Sequence, residues 1–152
     1  MRVIIADANH ADRRLLREII LQLDRRTVIQ LALNAHQLFD YLKSAGGRIR
    51  ETIIFLDFDL PGSDAPSLIR GMTGNASDSP FFKFVWGDFL SREQMNLCLQ
   101  CGADLCLPKS CRPSDLRRMV GHLFQARREP GNPAVRAEEG QVPQEQEHSL
   151  HP

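Results

Sequence analysis

The stretch Thr52-Ile-Ile-Phe-Leu-Asp57-Phe-Asp59-Leu-Pro61-Gly62 decides the fold of this chain. A short apolar run of branched and aromatic residues predicts a buried strand, and Pro61 and Gly62 forbid its continuation. Asp57 would then lie at the carboxyl end of a parallel strand, the edge where open α/β sheets build their sites. We therefore expect Asp57 at the centre of the functional pocket.

Strand and helix patterns alternate on both sides of this stretch. Branched and aromatic apolar runs predict five strands, at 2–6, 27–33, 52–57, 81–86 and 105–107. Apolar residues at helical spacing predict a helix after each strand. Such alternation implies an α/β fold, with a doubly wound five-stranded parallel sheet and helices on both faces.

Helix boundaries are marked by capping residues. Asn9 or Asp12 would cap the first helix, Asn34 the second, Ser91 the fourth and Ser114 the last. Glycine-containing pairs and a single glycine would end the helices that precede them, at Gly46-Gly47, Gly74-Asn75 and Gly102.

Composition argues against several classes of function. The 152 residues carry 19 basic and 19 acidic side chains, so no net field favours nucleic acid or an anionic membrane. The sequence has no apolar run of about 18 residues and no secretory signal pattern at its start. We expect a cytoplasmic protein with one folded domain at 1–126.

The segment 127–152 has four prolines, many Glu and Gln and few large apolar residues, so a disordered tail is predicted there.

Four cysteines, Cys98, Cys101, Cys106 and Cys111, fall in one short segment. A zinc site or a redox pair at Cys98 and Cys101 is one interpretation. Their even spacing does not suit the paired ligands of structural zinc. Small, semi-apolar core residues are the favoured interpretation.

Charged residues follow three of the predicted strands. Asp7 ends the first strand, Asp57 ends the third, and Lys109 lies just beyond the fifth. In a doubly wound sheet these ends can converge if the three strands lie side by side. Two carboxylates suit a hard cation such as Mg²⁺, and a lysine opposite them suits an anion. This chemistry is suited to accepting a phosphoryl group.

These residues resemble the receiver domain of bacterial two-component response regulators, over about residues 1–126. Three stretches carry the resemblance: Val3-Ile-Ile-Ala-Asp7-Ala-Asn9, Ile54-Phe-Leu-Asp57-Phe-Asp59-Leu-Pro61-Gly62-Ser-Asp64-Ala65, and Gly102-Ala-Asp104-Leu-Cys106-Leu-Pro-Lys109. The resemblance implies the (βα)₅ flavodoxin-like fold.

The resemblance also implies a role for each matching residue. Asp57 is similar to the acceptor of a phosphoryl group from a histidine kinase or a phosphotransfer protein. Asp7 is similar to a ligand of Mg²⁺, and Asp59 to the position whose backbone carbonyl helps to hold the metal. Lys109 is similar to the lysine that contacts the phosphoryl group.

Three departures from the family pattern change these expectations. Ala8 replaces the second acid after the first strand, so Mg²⁺ should bind more weakly. Trp86, or Val85 in the alternative register, replaces the Ser or Thr of the switch. Cys106 replaces the switch aromatic of the fifth strand.

Three functions remain open at this point. One is a stand-alone, non-enzymatic receiver that accepts a phosphoryl group on Asp57 and acts by protein contact through the face built from residues 91–124. The second is a pseudo-receiver, an interaction module that works without phosphorylation. The third, remote alternative is a phosphatase that forms an aspartyl phosphate at Asp57-x-Asp59. Neither nucleic acid nor membrane is an expected partner.

Overall fold

The computed structural model describes residues 1–44, 52–73 and 81–128. Strands and helices alternate along these residues. The strands are β1 (Arg2–Ala6), β2 (Val28–Ala32), β3 (Thr52–Asp57), β4 (Phe82–Gly87) and β5 (Leu105–Pro108). The helices are α1 (His10–Leu23), α2 (Ala35–Ser44), α3 (Ala65–Thr73), α4 (Arg92–Cys101) and α5 (Pro113–Arg128).

The five strands form one parallel sheet in the order β2-β1-β3-β4-β5. Ile5 pairs with Phe55, Phe55 with Phe84, and Phe84 with Leu105, so the register is continuous across four strands. The predicted doubly wound α/β sheet is confirmed. The order also corrects one expectation, because β4 lies between β3 and β5, and the three charged strand ends are therefore not on adjacent strands.

Alternating side chains of the strands bury two separate apolar layers, as the period of two in a strand requires. On one face, Ile5, Phe55 and Trp86 pack with residues of α1 and α5. On the other face, Ile54 and Val85 pack with residues of α2, α3 and α4. Both faces of the sheet are thus covered, which explains why the strands contain almost continuous apolar runs.

Caps set most of the helix ends as the sequence predicts. The Asn9 side chain accepts the Asp12 N–H at 3.0 Å, so Asn9 and not Asp12 is the cap of α1. The Asn34 side chain accepts the Gln37 N–H at 2.9 Å. Ser91 caps α4, which ends at Gly102 with a positive φ of 116°, a conformation that glycine adopts without strain.

The Ser114 cap is a wrong prediction. Helix α5 begins at Pro113, so Ser114 already lies in its first turn, and Pro113 supplies the fixed φ that suits a first helical position. The helix also runs to Arg128, two residues past the predicted domain boundary at 126. The predicted helix ends at Gly46-Gly47 and Gly74-Asn75, and the predicted tail from residue 129 onward, lie outside the described residues.

The amino edge of the sheet contains a buried ion pair. The Lys83 side chain is 1% exposed, and its ammonium lies 3.5 Å from the Asp104 carboxylate and donates to the Phe81 carbonyl at 3.2 Å. The Lys83 N–H donates to the same carboxylate, and the Asp104 N–H donates to the Lys83 carbonyl. This pair is therefore part of the hydrogen bonding that joins β4 to the start of β5.

In the described ranges, none of the helices combines the length and the apolarity that crossing a membrane requires.

Candidate functional site

The opposite, carboxyl edge of the sheet gathers four charged side chains. The Lys109 ammonium lies 2.9 Å from the Asp7 carboxylate and 3.3 Å from that of Asp57. The sequence predicts that these three meet, and the structure brings them together. It adds a fourth, because the Asp12 carboxylate lies 2.8 Å from the same ammonium.

Asp7 is fixed by the end of β1. Its N–H donates to the Ala32 carbonyl of β2 at 3.0 Å, and its Oδ1 accepts the Asn9 N–H at 2.8 Å. The Arg13 side chain donates to the Asp7 carbonyl at 2.8 Å, which ties α1 to the end of the strand. Asp7 is fully buried, so its carboxylate cannot turn toward solvent.

Asp57 is the last residue of β3 and begins a turn. Its Oδ1 accepts the Asp59 N–H at 3.1 Å, and its Oδ2 faces the Lys109 ammonium. An aspartate that bonds the backbone two residues ahead is a typical turn former, so the same residue ends the strand and presents its carboxylate to the pocket. Asp59 itself is exposed.

Lys109 reaches this pocket from beyond β5, across the end of β4. Its N–H donates to the Gly87 carbonyl at 2.9 Å, which anchors the chain beside the last residue of β4. Its ammonium lies 5.0 Å from the centre of the Trp86 ring, a distance at which a cation is attracted to an aromatic face. The intervening strand thus supplies an aromatic wall beside Asp57 and Lys109.

Trp86 is the strand partner of Asp57, and its side chain is buried on the same face of the sheet. Val85, the alternative switch position, packs on the other face. The Trp86 indole N–H is buried and has no hydrogen-bond partner among the described residues. Trp86 therefore fills the space beside the Asp57 carboxylate and offers no hydroxyl there.

Burial and hydrogen bonding have opposing effects on the pKa values of Asp7 and Lys109. Desolvation raises the pKa of Asp7 from 3.8 to about 6, against the opposing hydrogen bond from Lys109. Desolvation would lower the pKa of Lys109, but the hydrogen bonds to Asp12 and Asp7 outweigh it and raise that pKa. Lys109 is therefore a permanent cation that faces three carboxyl groups.

Asp12 is a site residue that the sequence does not predict, because its position before the first helical pattern indicates only a cap. Asp12 is the third residue of α1, and its backbone N–H is fixed by Asn9. A helix that begins three residues after a strand-end aspartate places its first turn at the same edge of the sheet. That proximity was the available signal in the sequence.

The residues at this edge offer oxygen ligands of the kind that Mg²⁺ prefers. Asp7 and Asp57 could supply carboxylates, and the resemblance implies a backbone carbonyl from Asp59, whereas Ala8 has no side-chain ligand. Across the described part of the chain, no three acidic, histidine or cysteine side chains are arranged to hold a metal ion. The donor set thus fits Mg²⁺ by its chemistry, with fewer carboxylates than the family pattern provides.

Cys98, Cys101 and Cys106 lie in the apolar layer on the other face of the sheet from Trp86. Cys106 is buried on the α4 side of the sheet, opposite to Trp86, and its Sγ lies 3.7 Å from the Met95 carbonyl. A hydrogen bond between the two thiols lowers the pKa of Cys98 and raises that of Cys106. Cys101 is buried in the same apolar layer, so these three pack as the core residues that the sequence favoured.

Of three comparisons with known proteins, only the one with solved structures finds matches. No protein-family model matches the sequence, and no curated protein matches it. Solved structures do match. The signal receiver domain of a DNA-binding response regulator (merR) from Colwellia psychrerythraea 34H is 16% identical, with a TM-score of 0.71, over 82% of this chain and 98% of that one.

Two further structures agree with this match. The response regulator receiver domain from Rhodospirillum rubrum is 15% identical, with a TM-score of 0.70, over 83% of this chain and 94% of that one. The Mn²⁺-bound form of the response regulator Rcp1 is 17% identical, with a TM-score of 0.65, over 82% of this chain and 91% of that one. The chain therefore has the fold of response regulator receiver domains, as its sequence motifs predict.

Proposed function

We propose that this chain is a signalling receiver that accepts a phosphoryl group on Asp57. The observation that carries the proposal is the convergence of Asp57, Asp7 and the Lys109 ammonium within 3.3 Å at the carboxyl edge of the sheet. Burying several charged groups at one place costs free energy. Clusters of this kind occur preferentially at functional sites. The receiver fold supports this reading.

The proposed reaction transfers a phosphoryl group from a phosphohistidine. An Asp57 carboxylate oxygen forms the new bond to phosphorus while the bond from phosphorus to the imidazole nitrogen breaks, and that nitrogen keeps the electron pair. Lys109 offsets the charge on the phosphoryl oxygens. Bound Mg²⁺, held by Asp7, Asp57 and the Asp59 carbonyl, would supply further positive charge.

The proposed partners follow from this reaction. A histidine kinase or a phosphotransfer protein would donate the phosphoryl group. A downstream protein would bind the face that α4, β5 and α5 build over residues 91–124. In this proposal the chain works in the cytoplasm and is a phosphorylated carrier of a signal, not an enzyme that turns over a substrate.

A pseudo-receiver is the second candidate, and the position of Trp86 favours it. The indole occupies the side of Asp57 at which the family pattern has a small hydroxyl residue, and it packs against the Lys109 ammonium. In this second reading the fold binds a partner constitutively and Asp57 keeps its free carboxylate.

One experiment separates the candidates. The protein is incubated with Mg²⁺ and acetyl phosphate, and the intact mass is measured for wild type, Asp57→Asn and Asp88→Asn. Asp88 is an exposed aspartate in the loop after β4, so its variant controls for the loss of one negative charge near the pocket. We expect a phosphoryl adduct in wild type and Asp88→Asn and none in Asp57→Asn.

Other outcomes have equally definite meanings. No adduct at millimolar Mg²⁺, with no response to beryllofluoride, would contradict the proposal and leave the pseudo-receiver. Steady release of phosphate from an added phosphate monoester would indicate the remote phosphatase alternative.

A further inference from the structure

The Lys109 ammonium is surrounded by carboxylates in this structure. It donates a hydrogen bond to the Asp12 carboxylate at 2.8 Å, and the carboxylates of Asp7 at 2.9 Å and Asp57 at 3.3 Å are its ion-pair partners. An anion that contacts Lys109 must therefore enter among these carboxylates and compete with the hydrogen bond to Asp12.

The three carboxylates differ in how readily water can replace the lysine. The side chains of Asp7 and Asp57 are 0% and 9% exposed, whereas that of Asp12 is 25% exposed. A group that regains water on release loses less than a buried one. The Asp12 backbone is held by the Asn9 cap, so its side chain can leave the lysine without any change in α1.

We infer that Asp12 is a positioning residue that holds Lys109 and competes with an incoming phosphoryl group for its ammonium. The inference rests on the proposed function of the same pocket. Asp12 acts in two ways, because it occupies a donor of Lys109 and also adds a third negative charge where an anion must bind. Release of Asp12 would then accompany each occupation of the site.

The single tryptophan of the chain reports on this site. Trp86 is the only tryptophan among the 152 residues, and its ring lies 5.0 Å from the Lys109 ammonium. Its fluorescence can therefore follow Mg²⁺ and anion binding at Lys109 without an added label.

The test titrates beryllofluoride at saturating Mg²⁺ into wild type, Asp12→Asn and Asp12→Glu, with acetyl phosphate labelling measured in parallel. Because charge-assisted hydrogen bonds are among the stronger polar contacts, we expect Asp12→Asn to bind beryllofluoride about ten-fold more tightly. Its labelling rate should rise by a similar factor at limiting acetyl phosphate, and its Mg²⁺ affinity should stay unchanged. Asp12→Glu restores the carboxylate and should return both values toward wild type.

Asp115 offers a matched control. It is the third residue of α5, as Asp12 is of α1, and its carboxylate lies 3.3 Å from the exposed Arg118. Asp115→Asn removes the same charge from the same helical position, so it reproduces the loss of helix stabilisation. It should leave beryllofluoride affinity at the wild-type value.

A second background separates this inference from the proposed function. In Asp57→Asn protein the acceptor is absent, and inorganic phosphate is titrated with and without Asp12→Asn. Tighter phosphate binding on removal of Asp12 supports the inference even if wild type never accepts a phosphoryl group, in which case only the proposed function fails. Equal or undetectable phosphate binding in the two proteins overturns the inference. So does weaker Mg²⁺ binding in Asp12→Asn without any gain in beryllofluoride affinity, since Asp12 would then serve the metal.

Discussion

Two buried lysines lie at opposite edges of one sheet and serve different purposes. Lys83 lies at the amino edge, where its N–H donates to the Asp104 carboxylate and its carbonyl accepts the Asp104 N–H. The same carboxylate is the ion-pair partner of its ammonium. Lys109 lies at the carboxyl edge among three carboxylates from three different elements. The pair of Lys83 and Asp104 is part of the hydrogen bonding between β4 and β5. The cluster around Lys109 has an excess of negative charge, and its Asp12 side chain is partly exposed. Burial of a lysine therefore does not indicate function by itself, and the surroundings of the charge do.

The largest expected effect comes from removing the ammonium of Lys109. Lys109→Met keeps the stem but leaves buried carboxylates without a partner, so we expect the free energy of unfolding at pH 8 to fall by about 3–5 kcal/mol. Urea denaturation in EDTA measures this free energy of unfolding. The control is Lys43→Met, at an exposed position of α2. A loss below about 1 kcal/mol would show that the carboxylates relax into solvent.

A smaller effect should come from pH, through Asp7. Its pKa is about 6 when folded and 3.8 ordinarily, so between these values the folded state holds a proton that the unfolded state has released. Raising the pH from about 4 to about 7 should therefore destabilise wild type relative to Asp7→Asn, by about 2–3 kcal/mol. Parallel denaturation of both proteins across this range in EDTA gives the difference. A difference independent of pH would mean that Lys109 keeps Asp7 ionised throughout.

The smallest of the three effects is expected at the other lysine. Lys83→Met leaves Asp104 with the Lys83 N–H as a donor, and the Asp104 side chain is 19% exposed, so water can partly replace the ammonium. We expect a loss of about 1–2 kcal/mol in urea denaturation, with no change in the response of Trp86 fluorescence to beryllofluoride. A changed response would show that the two edges are coupled through β4. It would contradict the view that Lys83 is only structural.

Several features of the fold could be predicted from local sequence because local physics fixes them. Apolar runs that end at Asp7 and Asp57 specify strands. Asn9, Asn34 and Ser91 specify helix starts, since each cap bonds the backbone three residues ahead. The prediction of a cap at Ser114 was wrong because the helix begins one residue earlier, at Pro113. The fixed φ of proline suits the first helical position.

The sequence by itself determined that Asp7, Asp57 and Lys109 stand at one edge of a parallel sheet, because each directly follows or ends a strand and strand ends share an edge. Only the tertiary structure decided that β4 intervenes, that Trp86 forms the wall beside Asp57, and that Asp12 becomes the nearest carboxylate to Lys109. The physical reason is range. Strands and caps depend on neighbours within a few residues, whereas the Lys109–Asp12 contact joins residues 97 positions apart and depends on strand order, which no local pattern encodes.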